Sequence, residues 1–366
     1  MDGIDLSIIK SDGYDQYTSI LDSYFEFDKE LRKNLIDLRT KISTIDDLKK
    51  LSKELGGIER KYTLFNNQII EKVLKNFGEQ VDLIGFHGQT IFHDSNKKIT
   101  KQLGDGKLLS QITKKIVVND FRQQDLINEG QGAPLTPIFH KILVKQLNKK
   151  HNLDFPLNII NIGGITNITK IYKEDFSLNS SLKAFDIAPG NCLIDEWVRR
   201  NSTYRFDKNG QIGKSGKVND LILNQVLDNF NIIDYNKSLD TKDFDISFAK
   251  GLSLEDGCAT ITKFTANLIA SGIDFVNKLD NSLSKKNLIC GGGRKNSFLI
   301  ESINESLFKN NLKIEDLDQF GFDGDFIESQ AFAFLAIRSF LKLPISFPNT
   351  TRCNKPTTGG KLNKNF

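Results

Sequence analysis

Leu157-Asn-Ile-Ile-Asn-Ile-Gly-Gly-Ile-Thr-Asn-Ile-Thr-Lys-Ile171 reads as a strand, a glycine turn at Gly163-Gly164 and a strand returning over Ile165 to Ile171. A polar turn follows, and a third strand runs to Phe185. The same plan occurs once upstream. From Gly3 to Phe27, Ile4, Leu6 and Ile8 line one face of a first run. Ser11-Asp12-Gly13 makes a turn, and Leu21, Phe25 and Phe27 line one face of a second run, with Ser23 a polar break. Long helical stretches and further buried strands follow each segment. A repeated strand-turn-strand start followed by strand and helix units predicts two related α/β lobes facing each other, against a coincidence of two ordinary hairpins.

The strands between the helices are short and apolar on both faces. Leu83-Ile84-Gly85-Phe86 and Leu288-Ile289-Cys290 each run at once into histidine or glycine, as a buried strand does when it ends at a ligand crevice. Ser253 to Leu279 reads as a helix. Ser253 and Asp256 form its capping pair, and Ile261, Phe264, Leu268, Phe275 and Leu279 its apolar face. Leu31 to Leu55 reads as surface helices. Asn148-Lys-Lys-His-Asn152 is the expected inter-lobe connection, dividing the chain into lobes 1–150 and 151–366, with the final helix packing back on the first. Cys353 to Phe366 is expected to be a poorly packed polar tail.

Composition removes several classes of function. Lys plus Arg number 50 against 46 for Asp plus Glu, and no block of five like charges occurs, so nothing suggests a nucleic-acid partner. Ala331 to Phe347, the most apolar stretch, is interrupted by Arg338, Lys342 and Pro344, short of the ~20 apolar residues that span a bilayer. Asp2 and Asp5 stand where a signal peptide would be basic and then apolar. Four scattered cysteines and four scattered histidines fit free thiols in a cytoplasmic protein and no metal site.

Several segments could carry chemistry. In Asn161 to Thr169, two glycines let backbone approach a bulky anion and Thr166 and Asn167 add side-chain donors, unless this is a plain glycine hairpin. Cys290-Gly-Gly-Gly-Arg-Lys-Asn296 follows a buried strand and precedes a helix at Ser297 to Leu307, a favourable place for a nucleotide. It matches neither the dinucleotide fingerprint nor the P-loop. Asp186, before Pro189-Gly190, is either a rigid carboxylate for proton or phosphoryl chemistry or a turn cap. Asp195 reads as surface or supporting. His87-Gly-Gln-Thr90, Asn119 to Asp125 and Gln131-Gly-Ala-Pro134 place polar groups at strand ends, suited to a sugar. His87 alone would more often be a satisfied core histidine, and Glu328 alone can simply favour the positive end of a helix.

Taken in order, these segments resemble the anhydro-N-acetylmuramic acid kinases of bacterial cell-wall recycling. The resemblance runs through Ile84-Gly-Phe-His-Gly-Gln-Thr90, Asn119-Asp-Phe-Arg122, Gly130-Gln-Gly-Ala-Pro134, Asn161-Ile-Gly-Gly-Ile-Thr-Asn167 and Phe185-Asp186 with Pro189-Gly-Asn191. It continues through Leu193-Ile-Asp195, Ser215-Gly-Lys-Val-Asn219, Cys290-Gly-Gly-Gly293 and Glu328 with Ala331-Phe-Ala-Phe-Leu335.

The resemblance implies a duplicated actin/hexokinase-like (ribonuclease H-like) α/β fold with ATP in a central inter-lobe cleft. It makes Asp186 the general base. It assigns Asp2, Gly3, Gly163, Gly164, Thr166, Asn167, Gly291, Gly292 and Gly293 to ATP and its phosphates. His87, Gln89, Asp120, Arg122 and Glu328 go to the sugar or its support. It further implies Mg²⁺ on the phosphates and a homodimer, beside the absence of a protein metal site and of a membrane or nucleic-acid partner already read from composition. The implied reaction opens 1,6-anhydro-N-acetylmuramic acid with water and phosphorylates the freed O6. The alternatives are a kinase for another amino sugar and a catalytically impaired nucleotide-binding relative.

Two departures stand out. The family opens with a strand and a Gly-x-Met-Ser-Gly-Thr-Ser loop before the segment seen here as Met1-Asp-Gly-Ile-Asp5. Either the start is assigned too late, at an internal methionine, or the chain is a truncated, inactive relative. The intact motifs downstream favour the first. Glu129 replaces the family's usual glycine before Gly130-Gln131, a change expected to be tolerated.

Overall fold

The computed structural model describes residues 2–172, 181–230, 234–279, 282–284 and 286–366. The chain divides into two compact units, 1–142 with 328–366, and 143–327.

In the first unit β1 (Gly3–Ser11) and β2 (Tyr17–Glu26) form the hairpin that the alternation predicts. Then come α1 (Lys29–Lys41), α2 (Ile45–Lys50) and α3 (Ser52–Phe77), β3 (Leu83–Gly85), β4 (Gln89–Asp94), β5 (Ile99–Leu103), α4 (Gly106–Thr113), β6 (Ile116–Asn119), α5 (Gln123–Ile127) and α6 (Pro137–His151). The period of Leu31, Leu35 and Leu38 buries one face of α1 with Phe27, Tyr62, Phe86 and Leu103, and leaves the charged face to water.

The second unit holds β7 (Leu157–Ile162), β8 (Ile165–Ile171), β9 (Leu182–Pro189), α7 (Cys192–Asn201), α8 (Gln211–Ser215), α9 (Asp220–Asn229), α10 (Leu254–Lys278), β10 (Lys286–Cys290), α11 (Ser297–Phe308) and β11 (Ile314–Asp316). Its strands form one sheet in the order β11-β10-β7-β8-β9. β7 to β9 are an antiparallel meander, and β10 and β11 add in parallel. The polar turn between β8 and β9 lies largely outside the described residues. Ser253 accepts a hydrogen bond from the Asp256 amide at the start of α10, as expected. Ile261, Phe264 and Leu268 of that helix are buried against Ile160, Ile168 and Phe185 of the sheet. The predicted stripe ends early, for the helix stops at Lys278 and Leu279 is 40% exposed.

The chain returns to the first unit through α12 (Ile327–Phe340), α13 (Pro348–Thr351) and β12 (Lys361–Asn363). The strands here do not form one sheet: β1-β2, β12-β6-β3 and β4-β5 pair separately.

Three features differ from the sequence expectation. The polar run at 148–152 ends α6 rather than linking two lobes; the units divide at Ile142/Leu143 inside that helix. A helix keeps its backbone bonds whatever its side chains, so polarity alone marked no break. The tail is not loose. Cys353 is 1% exposed, β12 pairs with β6, and Asn363 donates to Asn119 Oδ1 and Val117 O. β3, expected as a fully buried strand, is only half-buried up to Phe86.

His140, fully buried in α6, has its pKa pushed down to about 3 by desolvation. The unfolded chain therefore takes up a proton below pH 6.5 that the folded chain refuses, and stability falls as pH falls through that window. Between pH 7 and pH 5 this one group removes about 2 kcal/mol. Urea unfolding at the two pH values should show His140→Gln losing less than the parent protein by about that amount; equal losses would remove His140 from the account.

Candidate active site

The polar residues singled out by the sequence gather in two places, one in each unit. In the second unit they lie at one end of the five-stranded sheet. The amide of Gly163 donates to Ile165 O, closing the β7–β8 turn. The carbonyls of Gly163 and Gly164 accept from Asn191, Gly190 and Cys192 amides at 2.8, 2.9 and 3.3 Å, which fastens this turn to the start of α7. A Cβ on Gly190 would sit 2.2 Å from Gly163 O, so the clamp requires glycine there. Gly164 has open space at its Cβ position, leaving backbone approachable. Thr166, expected as a phosphate donor, is fully buried and spends its hydroxyl proton on Pro189 O.

The second glycine loop leaves β10 beside that turn. Gly291 has φ +83°, and its Cβ would meet Asn161 Oδ1 at 2.3 Å, so backbone and packing both demand glycine. Gly292 faces open space and Gly293 packs on Ile162. The helix does not follow at once, because a single 3₁₀ turn, Gly292–Lys295, comes first and Asn296 caps α11.

Sequence reasoning missed what holds this loop. Arg294 is 6% exposed and grips both carboxylate oxygens of Asp318, at 3.1 and 2.8 Å, with Asp325 Oδ1 at 2.5 Å and Gly291 O at 3.2 Å. Charge-assisted, bidentate pairs of this kind fix geometry. The run of aspartates at 316, 318, 323 and 325 was the available signal.

Asp186 lies on β9, 7% exposed, with Oδ2 accepting the Leu239 amide at 3.0 Å. It stands directly opposite Asn167 of β8, which is opposite Asn161 of β7, which is opposite Cys290 of β10. Opposed residues share a face of the sheet, so one polar row joins the carboxylate to the origins of both glycine loops. Asp195 pairs loosely with Arg199 at 3.8 Å on α7. Burial raises the Cys192 thiol to about 12, which keeps it protonated and unreactive.

In the first unit, Arg122 donates to His87 Nε2 from Nε at 3.3 Å and Nη2 at 3.0 Å, and to Gly132 O at 2.8 Å. The His87 ring stacks on Phe332 of α12 with centroids 3.9 Å apart, and the Arg122 guanidinium lies over the same ring. Desolvation, then the Arg122 charge, hold the His87 pKa well below 6.5. The ring is neutral, with Nε2 accepting and its hydrogen on Nδ1.

The loop carrying Gly132 is itself pinned. Asp125, 1% exposed, accepts from the Gly132 amide at 2.7 Å and from Thr351 Oγ1 at 2.6 Å. Asp125 is a second residue whose part was not read from sequence. Glu129 takes φ +66°, where glycine costs least, and is ion-paired with Lys98. Asp120 also has a positive φ, +56°.

Gln89 opens β4 opposite Leu103. Glu328 stands in the first turn of α12, exposed to solvent. Asp2 and Gly3, expected at the phosphates, lie at the hairpin's start, where Asp2 is ion-paired with Arg32 at 2.9 Å and a Gly3 Cβ would strike Phe25 O. Among the described residues no cluster of three or more histidine, cysteine, aspartate or glutamate side chains could hold a metal ion, and no helix is long and apolar enough to cross a membrane.

Comparison with known proteins places these features in a family. The model of a family described as anhydro-N-acetylmuramic acid kinase matches residues 1–364. A protein of that name from Pelagibacter ubique is 51% identical over 370 residues, covering 100% of this chain and 96% of its own. Its namesake from Agrobacterium fabrum is 34% identical over 367 residues, covering 99% and 95%. Among solved structures, an activator of 2-hydroxyisocaproyl-CoA dehydratase from Clostridium difficile aligns over 52% of this chain and 63% of its own, with 14% identity and a TM-score of 0.32.

Proposed function

The chain belongs to the anhydro-N-acetylmuramic acid kinase family, and from that premise we propose how its residues divide the work of a sugar kinase that uses ATP. The substrate is 1,6-anhydro-N-acetylmuramic acid, and the product is N-acetylmuramic acid 6-phosphate, within peptidoglycan recycling. Asp186 is the general base. It takes a proton from water as the water oxygen attacks the anomeric carbon, and the C1–O6 bond breaks with its electrons going to O6. O6 then attacks the γ-phosphorus and ADP leaves. Positive charge developing at the anomeric carbon is the same difficulty met in glycoside hydrolysis. Phosphorylation of O6 prevents the bridge from re-forming.

The observation that carries this assignment is the convergence on one sheet end of a fixed carboxylate, an approachable glycine turn and a triglycine loop. The backbone at Gly163, Gly164, Gly291, Gly292 and Gly293 receives the phosphates. Thr166 serves the turn rather than the ligand, and Asp2 and Gly3 support the start of the β1–β2 hairpin. His87, Gln89, Asp120, Arg122 and Glu328 take the sugar: a neutral imidazole N–H, a fixed guanidinium and carboxyl groups match an array of hydroxyls, an amide and the lactyl carboxylate. ATP would enter as its Mg²⁺ complex, the metal neutralising charge on the phosphates. The family resemblance supports a cytoplasmic homodimer, and the modest net charge of +4 agrees with no nucleic-acid partner.

The test is ADP release with 1,6-anhydro-N-acetylmuramic acid against the 1,6-anhydro sugar lacking the lactyl group. Turnover should require ATP and the muramyl sugar together, with a sugar 6-phosphate formed one-to-one with ADP. Equal kcat/KM on the sugar without the lactyl group would instead favour another amino sugar as substrate.

A further inference from the structure

The resemblance gives Asn167 to the nucleotide. We infer instead that Asn167 is a further catalytic residue, which holds the attacking water together with Asp186; this rests on Asp186 being the base.

Three observations carry it. The register of β8 and β9 shifts between Thr166 and Asn167: Thr166 opposes Ala188 while Asn167 opposes Asp186, so Ile187 is an extra residue on β9. Bulges of this kind re-aim side chains beside active sites. Here the shift sets Asn167 squarely across from the carboxylate, with Cβ atoms about 4.5–5.5 Å apart. Next, Asn167 Oδ1 is buried and has no hydrogen-bond partner, a state that costs roughly 1–3 kcal/mol unless a ligand relieves it. Finally, Thr166 alternates to the other face and is already committed to Pro189 O, so Asn167 alone of the turn's two side-chain donors looks along the polar row.

The chemistry of the orphan atom selects the ligand. A carbonyl oxygen beside a carboxylate is an acceptor next to an acceptor. Phosphate oxygens are acceptors too and gain nothing from it. Water has two hydrogens, one for Asp186 and one for Asn167 Oδ1, and with both donated its lone pairs face the side away from these two acceptors. The hydrogen on the Asp186 side is the one transferred when the oxygen bonds to C1; the hydrogen on the Asn167 side stays as that of the new anomeric hydroxyl. Asn167 thus neither gains nor loses a proton.

Asn167→Leu, close in shape but without the acceptor, should lower kcat on the order of 10²-fold while KM for ATP stays within about twofold. Asn167→Asp puts a second negative charge beside Asp186, and the acid limb of the pH–rate profile should move up by about one unit or more. Both results are required. A large rise in KM for ATP with kcat unchanged in Asn167→Leu returns the residue to the phosphates. An unmoved acid limb in Asn167→Asp separates it from the base, and either outcome overturns the inference. Asp186→Asn, measured in parallel, keeps the two levels apart: if that variant still turns over, the base itself is misassigned, whereas an inactive Asp186→Asn with phosphate-like Asn167 variants removes only the role given to Asn167.

Discussion

Asp186→Asn should reduce kcat on the order of 10³-fold, with ATP binding and the folded structure retained. Asparagine has nearly the same shape, and its side-chain oxygen still accepts the Leu239 amide that holds the carboxylate now at 3.0 Å. What disappears is the ability to take a proton from water as it attacks. The effect falls on kcat because the lost interaction exists only as the water's O–H bond breaks. Trp197, the only tryptophan, packs in the core of the same unit, so its fluorescence through thermal unfolding reports whether the fold survives. A folded variant keeping more than about a tenth of parental turnover is incompatible with the expected loss for a general base.

Arg122→Ala should give the second largest effect, on the sugar rather than on ATP. The guanidinium makes two bonds to His87, one to Gly132 O, and covers the Phe332 ring. Each hydrogen bond from a charged group is worth about 1.5–3 kcal/mol. Losing the one bond proposed to reach the sugar should lower kcat/KM for it about 10- to 100-fold, and the change also releases His87 and the Gly132 loop. KM for ATP should stay near the parental value. Arg122→Lys should rescue little, because a point charge cannot bridge His87 Nε2 and a backbone carbonyl as a planar fork does. Equal losses toward ATP and sugar would show a general collapse of the unit instead.

Both effects depend on geometry that the sequence expressed unevenly. The hairpins, the meander of β7 to β9 and the long helix α10 were legible because their signals are local. Alternation, a Ser253 cap and glycine turns act within a few residues of themselves. Asp186 was legible as a residue at a strand end followed by a Pro-Gly turn. Its neighbours across the sheet were not, since which residue of β8 opposes it depends on one extra residue in β9. A bulge leaves no mark in the strand it faces.

The same distinction explains the tail. Cys353 to Phe366 is polar in composition, but its packing comes from partners more than two hundred residues away, Asn119 and Ser110 among them. Arg294 and Asp125 are further cases: each lies in a segment read as suited to a ligand, and each proves to hold a glycine loop in place through partners distant in sequence.

By itself, then, the chain's order of residues determined the hairpins, the β7–β9 meander and the long helix α10, which of their faces are apolar, and that the motifs follow the order of one kinase family. Those properties rest on backbone preference and on periodicity, which operate over one or two turns or a single hairpin. Tertiary structure alone decided the opposition of Asn167 and Asp186, the clamp of Gly190 on the Gly163 turn and the hold of Arg122 on His87. Each of these joins atoms that are distant in sequence, or offset by one position in register, and hydrogen-bond distance is a property of the folded chain only.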